Sequence, residues 1–204
     1  MRHSQSPLTT SMAGLIILAA GASRRLGKPK QNLIYKGETL LQRAVNTAIA
    51  SECSPVVLVL GANADAIEST LVPGKFTIVI NPDWQSGMAS SVKLGINEIA
   101  KDKTIDAAVI MLCDQPFVTP ELINSLLHYR GTTGKTIIGS AYKNTVGVPA
   151  LFDRSVFNKL EELQGDEGAR LLLKNQAQDV FAVKFDEGII DIDTAEDYSQ
   201  LDTD

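Results

Sequence analysis

The chain has 204 residues, of which 44% are hydrophobic and 21% charged, so it suits one globular α/β domain and is short for two. Its two cysteines, Cys53 and Cys113, lie far apart and form neither a zinc motif nor a disulfide framework, which favours a reducing cytoplasm. The apolar run 15–20 is too short to span a membrane, and the basic stretch after it is unlike a signal peptide.

The net charge of −5 conceals an asymmetry along the chain. Six bases and no acid precede Glu38, whereas eight acids and no base follow Lys184. One basic loop combined with carboxylates elsewhere suits a polyanionic small ligand and a metal ion. Because nucleic acid would favour a broadly basic face, we expect neither nucleic acid nor a membrane as a partner.

Apolar runs and helical patterns alternate along the chain. Residues 1–12 are polar and aperiodic, which predicts a disordered arm before a single domain at 13–204. Strands are predicted at 15–20, 55–60, 76–80, 107–112, 136–140, 146–152 and 180–184. Helices are predicted at 40–50, 63–71, 89–99, 120–129, 155–163 and 167–175, with a short one from Thr194. Continuously apolar strands in this order predict an α/β, Rossmann-like, three-layer sandwich around a mostly parallel mixed sheet.

A basic loop follows the first predicted strand directly. Small residues at 19–23 let the backbone approach a ligand closely, and Arg24, Arg25, Lys28 and Lys30 add positive charge. The loop is not a Walker A motif, because five residues separate Gly21 from the next Gly-Lys and proline follows. It also lacks the Gly-x-Gly-x-x-Gly of dinucleotide folds. The alternative to a phosphate site is an ordinary solvated basic loop.

The loop resembles the signature of nucleotidyltransferases with a glycosyltransferase-A-like fold, Leu-Ala-(Ala/Gly)-Gly-x-x-x-Arg-Met-Gly-x-x-Lys, with Leu26 where methionine is usual. The resemblance implies that Arg25 and Lys30 neutralise a triphosphate and act in catalysis. It also implies nucleotide contacts from the start of the loop, at Leu18, Ala19, Ala20 and Gly21.

The strand 107–112 runs into Asp114-Gln-Pro, which places a carboxylate at the carboxyl end of a central strand, where open parallel sheets bind ligands. A second pair, Asp191 and Asp193, shares one face of an extended segment. Asp193 also has the spacing of a helix N-cap with Glu196 as its reciprocal partner, and both roles are compatible. The segment resembles the closing motif Asp-x-Asp-Thr-Pro-Glu-Asp of the same family. That resemblance implies that Asp114 and Asp193 bind Mg²⁺, or Mn²⁺, with Asp191 helping.

Three further stretches narrow the resemblance to molybdenum cofactor cytidylyltransferases, in the MobA-like superfamily: 81–91, 147–149 and 165–170. Related guanylyltransferases carry glycine at the position of Ala20. The resemblance implies transfer of CMP from CTP to a molybdopterin-type cofactor, with release of pyrophosphate and a molybdenum hydroxylase as a candidate recipient. It adds nucleotide contacts at Gly61, Gly87, Ser91 and Asp114 in a half at about 13–115. It places acceptor contacts at Gly147, Pro149, Asp166 and Arg170 in a half at about 116–204.

Structural alternatives stay open for these stretches. Gly87 starts a helix in one reading, with Ser90 and Ser91 as its caps, while Asp166 caps the next helix and 147–149 is an edge-strand irregularity. The functional alternatives are another acceptor such as a sugar or polyol phosphate, GTP as the donor, or a non-catalytic chaperone of the molybdenum cofactor. Some members of the subgroup carry oxidoreductase names, against which the missing dinucleotide motif argues.

Overall fold

A computed structural model describes residues 12–201, which form one seven-stranded mixed sheet with helices on both faces. The predicted three-layer α/β sandwich is confirmed. Residues 1–11, most of the predicted N-terminal arm, lie outside the described part. Met12 belongs to the ordered structure instead, because its carbonyl accepts a hydrogen bond of 2.9 Å from the Asp106 backbone N–H.

Strands and helices follow one another in largely the predicted order. The strands are β1 (Ala13–Ala19), β2 (Ile34–Tyr35), β3 (Glu38–Thr39), β4 (Val56–Leu60), β5 (Thr77–Ile80), β6 (Ala107–Leu112), β7 (Ile137–Tyr142), β8 (Thr145–Asp153) and β9 (Val180–Lys184). The helices are α1 (Leu40–Ala50), α2 (Ala64–Glu68), α3 (Met88–Ala100), α4 (Pro120–Thr133), α5 (Phe157–Glu161), α6 (Arg170–Asn175) and α7 (Ala195–Ser199). Within residues 12–201, no helix is long and apolar enough to cross a membrane.

The sheet order is β5-β4-β1-β6-β8-β7-β9, and β8 runs antiparallel to both of its neighbours. The remaining pairs are parallel. Because β1, β4 and β6 are parallel, the loops that follow them meet at one edge of the sheet. That edge holds the basic loop after β1 and Asp114 after β6.

Alternate residues of the central strands enter two separate cores. Leu15 and Ile17 of β1 pack in the layer that contains α1 and α4, while Ile16 and Leu18 pack in the layer that contains α3, α5 and α6. All seven residues of β1 are buried, since both sheet faces are covered. This burial fixes the strand, and therefore the start of the basic loop.

Three helices are shorter than predicted. Helix α2 ends at Glu68 rather than residue 71, and α5 follows a 3-10 turn, Arg154–Val156, in which the Asp153 side chain accepts from the Ser155 N–H. Helix α6 begins three residues late, after a segment that contains Gly165 with a φ of 53°. The hairpin β2–β3 was not predicted, because its two-residue strands are too short for a periodic pattern.

Candidate active site

A cleft of about 560 Å³, here the first cleft, opens at the carboxyl ends of β1 and β6. It brings together segments that lie far apart in sequence. Of the residues predicted to bind nucleotide or metal, it is lined by Leu18, Ala19, Ala20, Gly21, Arg25, Lys30, Gly87, Ser91, Asp114, Asp191 and Asp193. Gly61 is the exception.

Gly61 acts on the cleft wall indirectly. A Cβ at this position would lie 2.7 Å from the Trp84 Cβ and 2.9 Å from the Ala20 Cβ. The absence of a side chain therefore lets two lining residues, Ala20 and Trp84, approach the backbone after β4. The nucleotide contact predicted for Gly61 stays a prediction, and within the structure Gly61 makes room for these two residues.

Gln31 holds the basic loop in shape, and the sequence did not single it out. It is fully buried in the 3-10 turn Lys30–Asn32, and its Nε2 donates to the carbonyl oxygens of Ala19 and Gly21 at 2.8 and 3.0 Å. Ser23 has a φ of 52° and accepts through its Oγ from the Lys30 N–H at 3.0 Å. These hydrogen bonds tie the first residues of the loop to its last residues, Lys30 and Gln31.

The loop exposes hydrogen-bond donors and positive charge to the cleft. Within the described part of the chain, the backbone N–H groups of Ala22 and Ser23 have no acceptor, as a phosphate site requires. Arg24 and Arg25 line the cleft. Lys28 does not line the cleft, and its Nζ lies 5.6 Å from the centre of the Tyr198 ring.

Lys30 joins the two predicted metal carboxylates. Its ammonium donates to Asp114 Oδ2 and, at 2.8 Å, to Asp193 Oδ1. Arg25 Nη2 donates to the other oxygen of Asp193, also at 2.8 Å. The Lys30 and Asp114 side chains are only 17% and 7% exposed, so this contact is largely withdrawn from water. The acids after β6 and near the end of the chain therefore meet at one point.

The charges in this cluster shift one another's protonation. Burial by itself lowers the pKa of Lys30, but the charge of Asp114 and the bonds to both carboxylates outweigh it and raise this pKa above its ordinary value. Burial raises the pKa of Asp193, but Lys30 and then Arg25 outweigh burial and lower it. Asp191 is different: burial, followed by repulsion from Asp114 and Asp193, raises its pKa. The cluster thus keeps Lys30 charged and Asp193 ionised.

Apolar packing places Asp193 beside Asp114. The adjacent Ile192 is fully buried against Leu33, Tyr35 and Leu40, and its backbone N–H donates to the Asp114 carbonyl at 3.0 Å. The buried Ile192 side chain and its backbone hydrogen bond therefore help to dock the closing segment onto the end of β6.

The cap of α7 differs from the prediction by one residue. Thr194, not Asp193, is the N-cap, and Asp197, not Glu196, completes the capping box with it. The predicted pairing was wrong because Ile192 and the bonds to Lys30 fix the direction of the Asp193 side chain. As a result both oxygens of Asp193 face basic side chains instead of the helix.

The oxygen atoms of this cluster fit a hard divalent cation. Asp114 Oδ1 is buried and has no hydrogen-bond partner among residues 12–201, so it retains a free position for a ligand. Mg²⁺ typically takes one or two carboxylates and completes its shell with phosphate and water oxygens. No group of three or more His, Cys, Asp or Glu side chains placed to hold a metal occurs in the described region. Asp191 lines the cleft but completes no such group with the other two aspartates.

Gly87 and Ser91 lie where the segment 81–91 enters α3. Gly87 is the N-cap of α3 with a φ of 108°, and a Cβ there would overlap the backbone of Gly165. Ser91 accepts from Asn81 Nδ2 at 2.9 Å, as does Ser90 at 2.8 Å, and neither serine caps the helix. Gly87 therefore both starts the helix and joins the first cleft to the segment that begins at residue 165.

A second cleft of about 440 Å³ adjoins the first, and Leu18, Met88, Leu112, Asp166 and Asp191 line both. Asp166 and Arg170, two of the residues predicted to contact the acceptor, line this second cleft. Asp166 does not cap α6, whose N-cap is Ala169.

Gly147 and Pro149 do not line the second cleft, and the acceptor contacts predicted for them stay predictions. Both are buried inside β8, while Val148 between them reaches the cleft wall. β8 is an interior strand, so the edge-strand alternative is also wrong, although β7 shows a register shift opposite this stretch.

Comparison with known proteins identifies the family of the chain. Residues 15–180 match the MobA-like NTP transferase domain. The chain is 35% identical over 168 residues to nicotine blue oxidoreductase of Paenarthrobacter nicotinovorans, a match that covers 79% of this chain and 81% of that protein. It is 30% identical over 196 residues to purine catabolism protein PucB of Bacillus subtilis (strain 168), covering 91% and 94%. Molybdenum cofactor cytidylyltransferase of Escherichia coli (strain K12) is 24% identical over 186 residues, covering 90% and 92%.

Solved structures show the same fold. The crystal structure of Rv0371c from Mycobacterium tuberculosis H37Rv is 30% identical with a TM-score of 0.84, and the match covers 95% of this chain and 98% of that one. A structure of Rv0371c in complex with manganese matches over the same shares with 26% identity and a TM-score of 0.78. The chain is a nucleotidyltransferase, and it belongs to the MobA-like NTP transferase family.

Proposed function

We propose that this nucleotidyltransferase transfers CMP from CTP to a molybdopterin-type molybdenum cofactor and releases pyrophosphate. The observation that carries the proposal is the contact of two clefts, one with the basic loop and paired carboxylates, the other with Arg170 and Asp166. Asp191 lines both clefts, so a nucleotide and an acceptor have adjacent places. The relative from Escherichia coli is named molybdenum cofactor cytidylyltransferase, and the match covers 92% of its length. That name supports this choice of substrates.

Each charged group of the first cleft has a defined part in this reaction. Asp114 and Asp193 would hold Mg²⁺, or Mn²⁺, which supplies charge neutralisation to the triphosphate. Arg25 and Lys30 bind phosphate oxygens and stabilise the charge that develops on the leaving pyrophosphate. The acceptor phosphate is already ionised and attacks the α-phosphorus in line, so positioning rather than a strong general base drives the step.

The donor nucleotide is tested by a turnover assay. The protein is incubated with Mg²⁺, purified molybdenum cofactor and each of the four NTPs, and pyrophosphate release is measured. We expect CTP to be preferred. Pyrophosphate release with a sugar or polyol phosphate but not with the molybdenum cofactor would show that the proposed acceptor is wrong. Preference for GTP would show that the proposed donor is wrong.

Two variants connect the assay to the site. Asp114→Asn should lower turnover by at least about 100-fold, since an electrostatic contact in a transition state is worth roughly 2.7–4 kcal/mol. Asp179→Asn is the matched control, because Asp179 is exposed and lines neither cleft. Ala20→Gly should widen donor use toward GTP by removing a methyl group from the wall of the first cleft. Normal turnover of Asp114→Asn would contradict the metal assignment.

Two other candidate activities can be distinguished with related measurements. Tight binding of molybdenum cofactor without turnover would indicate a chaperone that passes the cofactor to a recipient such as a molybdenum hydroxylase. The name of the Paenarthrobacter relative motivates a further reaction mixture, with nicotine blue and a reduced nicotinamide cofactor. We expect no redox turnover there, because the loop after β1 lacks the dinucleotide-binding glycine pattern.

A further inference from the structure

Tyr142, at the end of β7, is held in the second cleft by two glycines. A Cβ on Gly147 would overlap the Tyr142 hydroxyl oxygen, and a Cβ on Gly188 would lie 2.5 Å from its Cδ1. Phe185 meets the ring edge-on, with centroids 6.5 Å apart and an interplanar angle of 88°. The observed position of the ring therefore depends on the absence of side chains at residues 147 and 188.

Part of the Tyr142 side chain makes no contact with the rest of the described fold. Its ring is half-buried and borders the cleft, and its hydroxyl makes no hydrogen bond within residues 12–201. The exposed part of the ring therefore forms part of the cleft wall, where an aromatic side chain offers a flat apolar surface to a planar ligand.

A second side chain of the same cleft points independently to a ligand. Gln115 is 7% exposed, and its Nε2 donates to the Val148 carbonyl at 3.1 Å. Because a carbonyl can only accept, this bond fixes which end of the amide is oxygen. The Oε1 atom has no donor in the described region. Gln115 therefore brings a buried, unpaired acceptor to the wall of the second cleft.

Positive charge lies at the rim of the same cleft. Arg170 Nη2 donates to Thr145 Oγ1 at 2.9 Å, which fixes the exposed guanidinium beside the cleft. A guanidinium so placed suits a phosphate group. The second cleft thus combines an aromatic ring, an unsatisfied hydrogen-bond acceptor and an anion-binding side chain. A planar nitrogen heterocycle that carries a phosphate has all three complementary features.

We propose that Tyr142 is the platform on which the planar ring system of the acceptor lies, and that Gly147 and Gly188 are positioning residues for it. The inference rests on the proposed function, since it concerns the acceptor of that reaction. It also gives Gly147 a role that acts through Tyr142 rather than by contact with the acceptor.

The test measures binding of purified molybdenum cofactor to the nucleotide-free protein, followed by the KM values for cofactor and for CTP. Tyr142→Leu should weaken cofactor binding at least about tenfold, since stacking of a heterocycle on an aromatic side chain is typically worth a factor of this order or more. Tyr142→Phe keeps the ring and should bind within about threefold of the wild type, if stacking dominates. The KM for CTP should not change in either variant.

Gly147→Ala separates positioning from contact. Its new methyl group displaces the tyrosine ring and should reproduce the loss seen in Tyr142→Leu, whereas Gly131→Ala should have no effect. Gly131 is an exposed residue of α4, and a Cβ there meets no atom within 4 Å. Thermal unfolding identifies any variant that binds poorly because it is unfolded, and whichever of Tyr142→Leu and Gly147→Ala remains folded then carries the comparison.

The outcomes are distinguishable from failure of the proposed function. If the wild type binds the cofactor but releases no pyrophosphate, the transfer reaction is wrong while the binding series still tests Tyr142. If Tyr142→Leu or Gly147→Ala binds the cofactor as tightly as the wild type, the platform is wrong whatever the enzyme does. If the wild type does not bind the cofactor and turns over a sugar phosphate instead, an acceptor with a planar ring system is excluded and the inference is overturned.

Discussion

Removal of the ammonium that joins the two carboxylates tests the electrostatics of the site most directly. Lys30→Met keeps the side-chain length and removes the charge. Asp114 then remains at 7% side-chain exposure, with neither oxygen bonded to a donor in the described structure. Breaking one partner of a buried pair costs roughly 3–5 kcal/mol, so we expect the ligand-free protein to lose about that much stability.

The measurement is urea-induced and thermal unfolding at pH 7 without divalent cations. For a chain of this length the loss corresponds to a fall in Tm of roughly 6–20 °C. Adding Asp114→Asn to Lys30→Met should recover most of it, because the second substitution removes the unpaired charge. Lys101→Met is the control: this side chain is 70% exposed in its ion pair with Glu98, and its loss should cost less than about 1 kcal/mol. A loss of less than about 1 kcal/mol in Lys30→Met, or a double variant no more stable than the single one, would refute this account.

Two further substitutions test the backbone of the site. Gly87→Ala forces a side chain into a φ of 108° and into the neighbouring backbone, so it should destabilise the protein by at least about 2 kcal/mol in thermal unfolding, whereas Gly131→Ala should be neutral or stabilising. Equal stability of these two variants would contradict the strain argument. Gln31→Leu removes the donor from two loop carbonyls and should cost about 1–3 kcal/mol while weakening CTP binding, measured by calorimetry, about tenfold. Unchanged CTP affinity would mean that the loop keeps its shape without Gln31.

The central strands were predictable because their burial leaves a plain signal in the sequence. The apolar run 107–112 coincides with β6, and the amphipathic pattern at 40–50 coincides with α1. Strand positions then placed Asp114 at the correct edge of the sheet without knowledge of any contact. The resemblance of the basic loop to a known signature supplied the residues that face it.

Features that depend on contacts between distant segments were not predictable. In the sequence, Gln31 looks like any other polar residue of the basic loop. Only the tertiary structure shows that it is buried and donates to the carbonyl oxygens of Ala19 and Gly21. Asp193 and Thr194 are both good capping residues, and the docking of Ile192 decides between them. In each case local propensity allows several arrangements, and packing against another part of the chain selects one.

The pairing of Lys30 with Asp114 and Asp193 has a consequence for the order in which ligands act. In the ligand-free protein these charges satisfy one another, so a triphosphate alone must draw Lys30 away from two carboxylates and leave them unpaired. A divalent cation alone faces the converse obstacle, because an ammonium is bonded to both acids. When both ligands arrive, Lys30 is free to bind phosphate while the carboxylates keep a positive partner.

We therefore expect CTP and Mg²⁺ to bind cooperatively, each raising the affinity of the other about 5–150-fold, the ordinary range of such coupling. Titration calorimetry of CTP with and without Mg²⁺ measures the factor, after correction for the affinity of the two ligands in solution. Lys30→Met should reduce it, because the cation site is then no longer blocked by an ammonium, and Mg²⁺ alone should stabilise that variant more than the wild type. Equal coupling in both proteins would show that Lys30 does not change partners when the nucleotide binds.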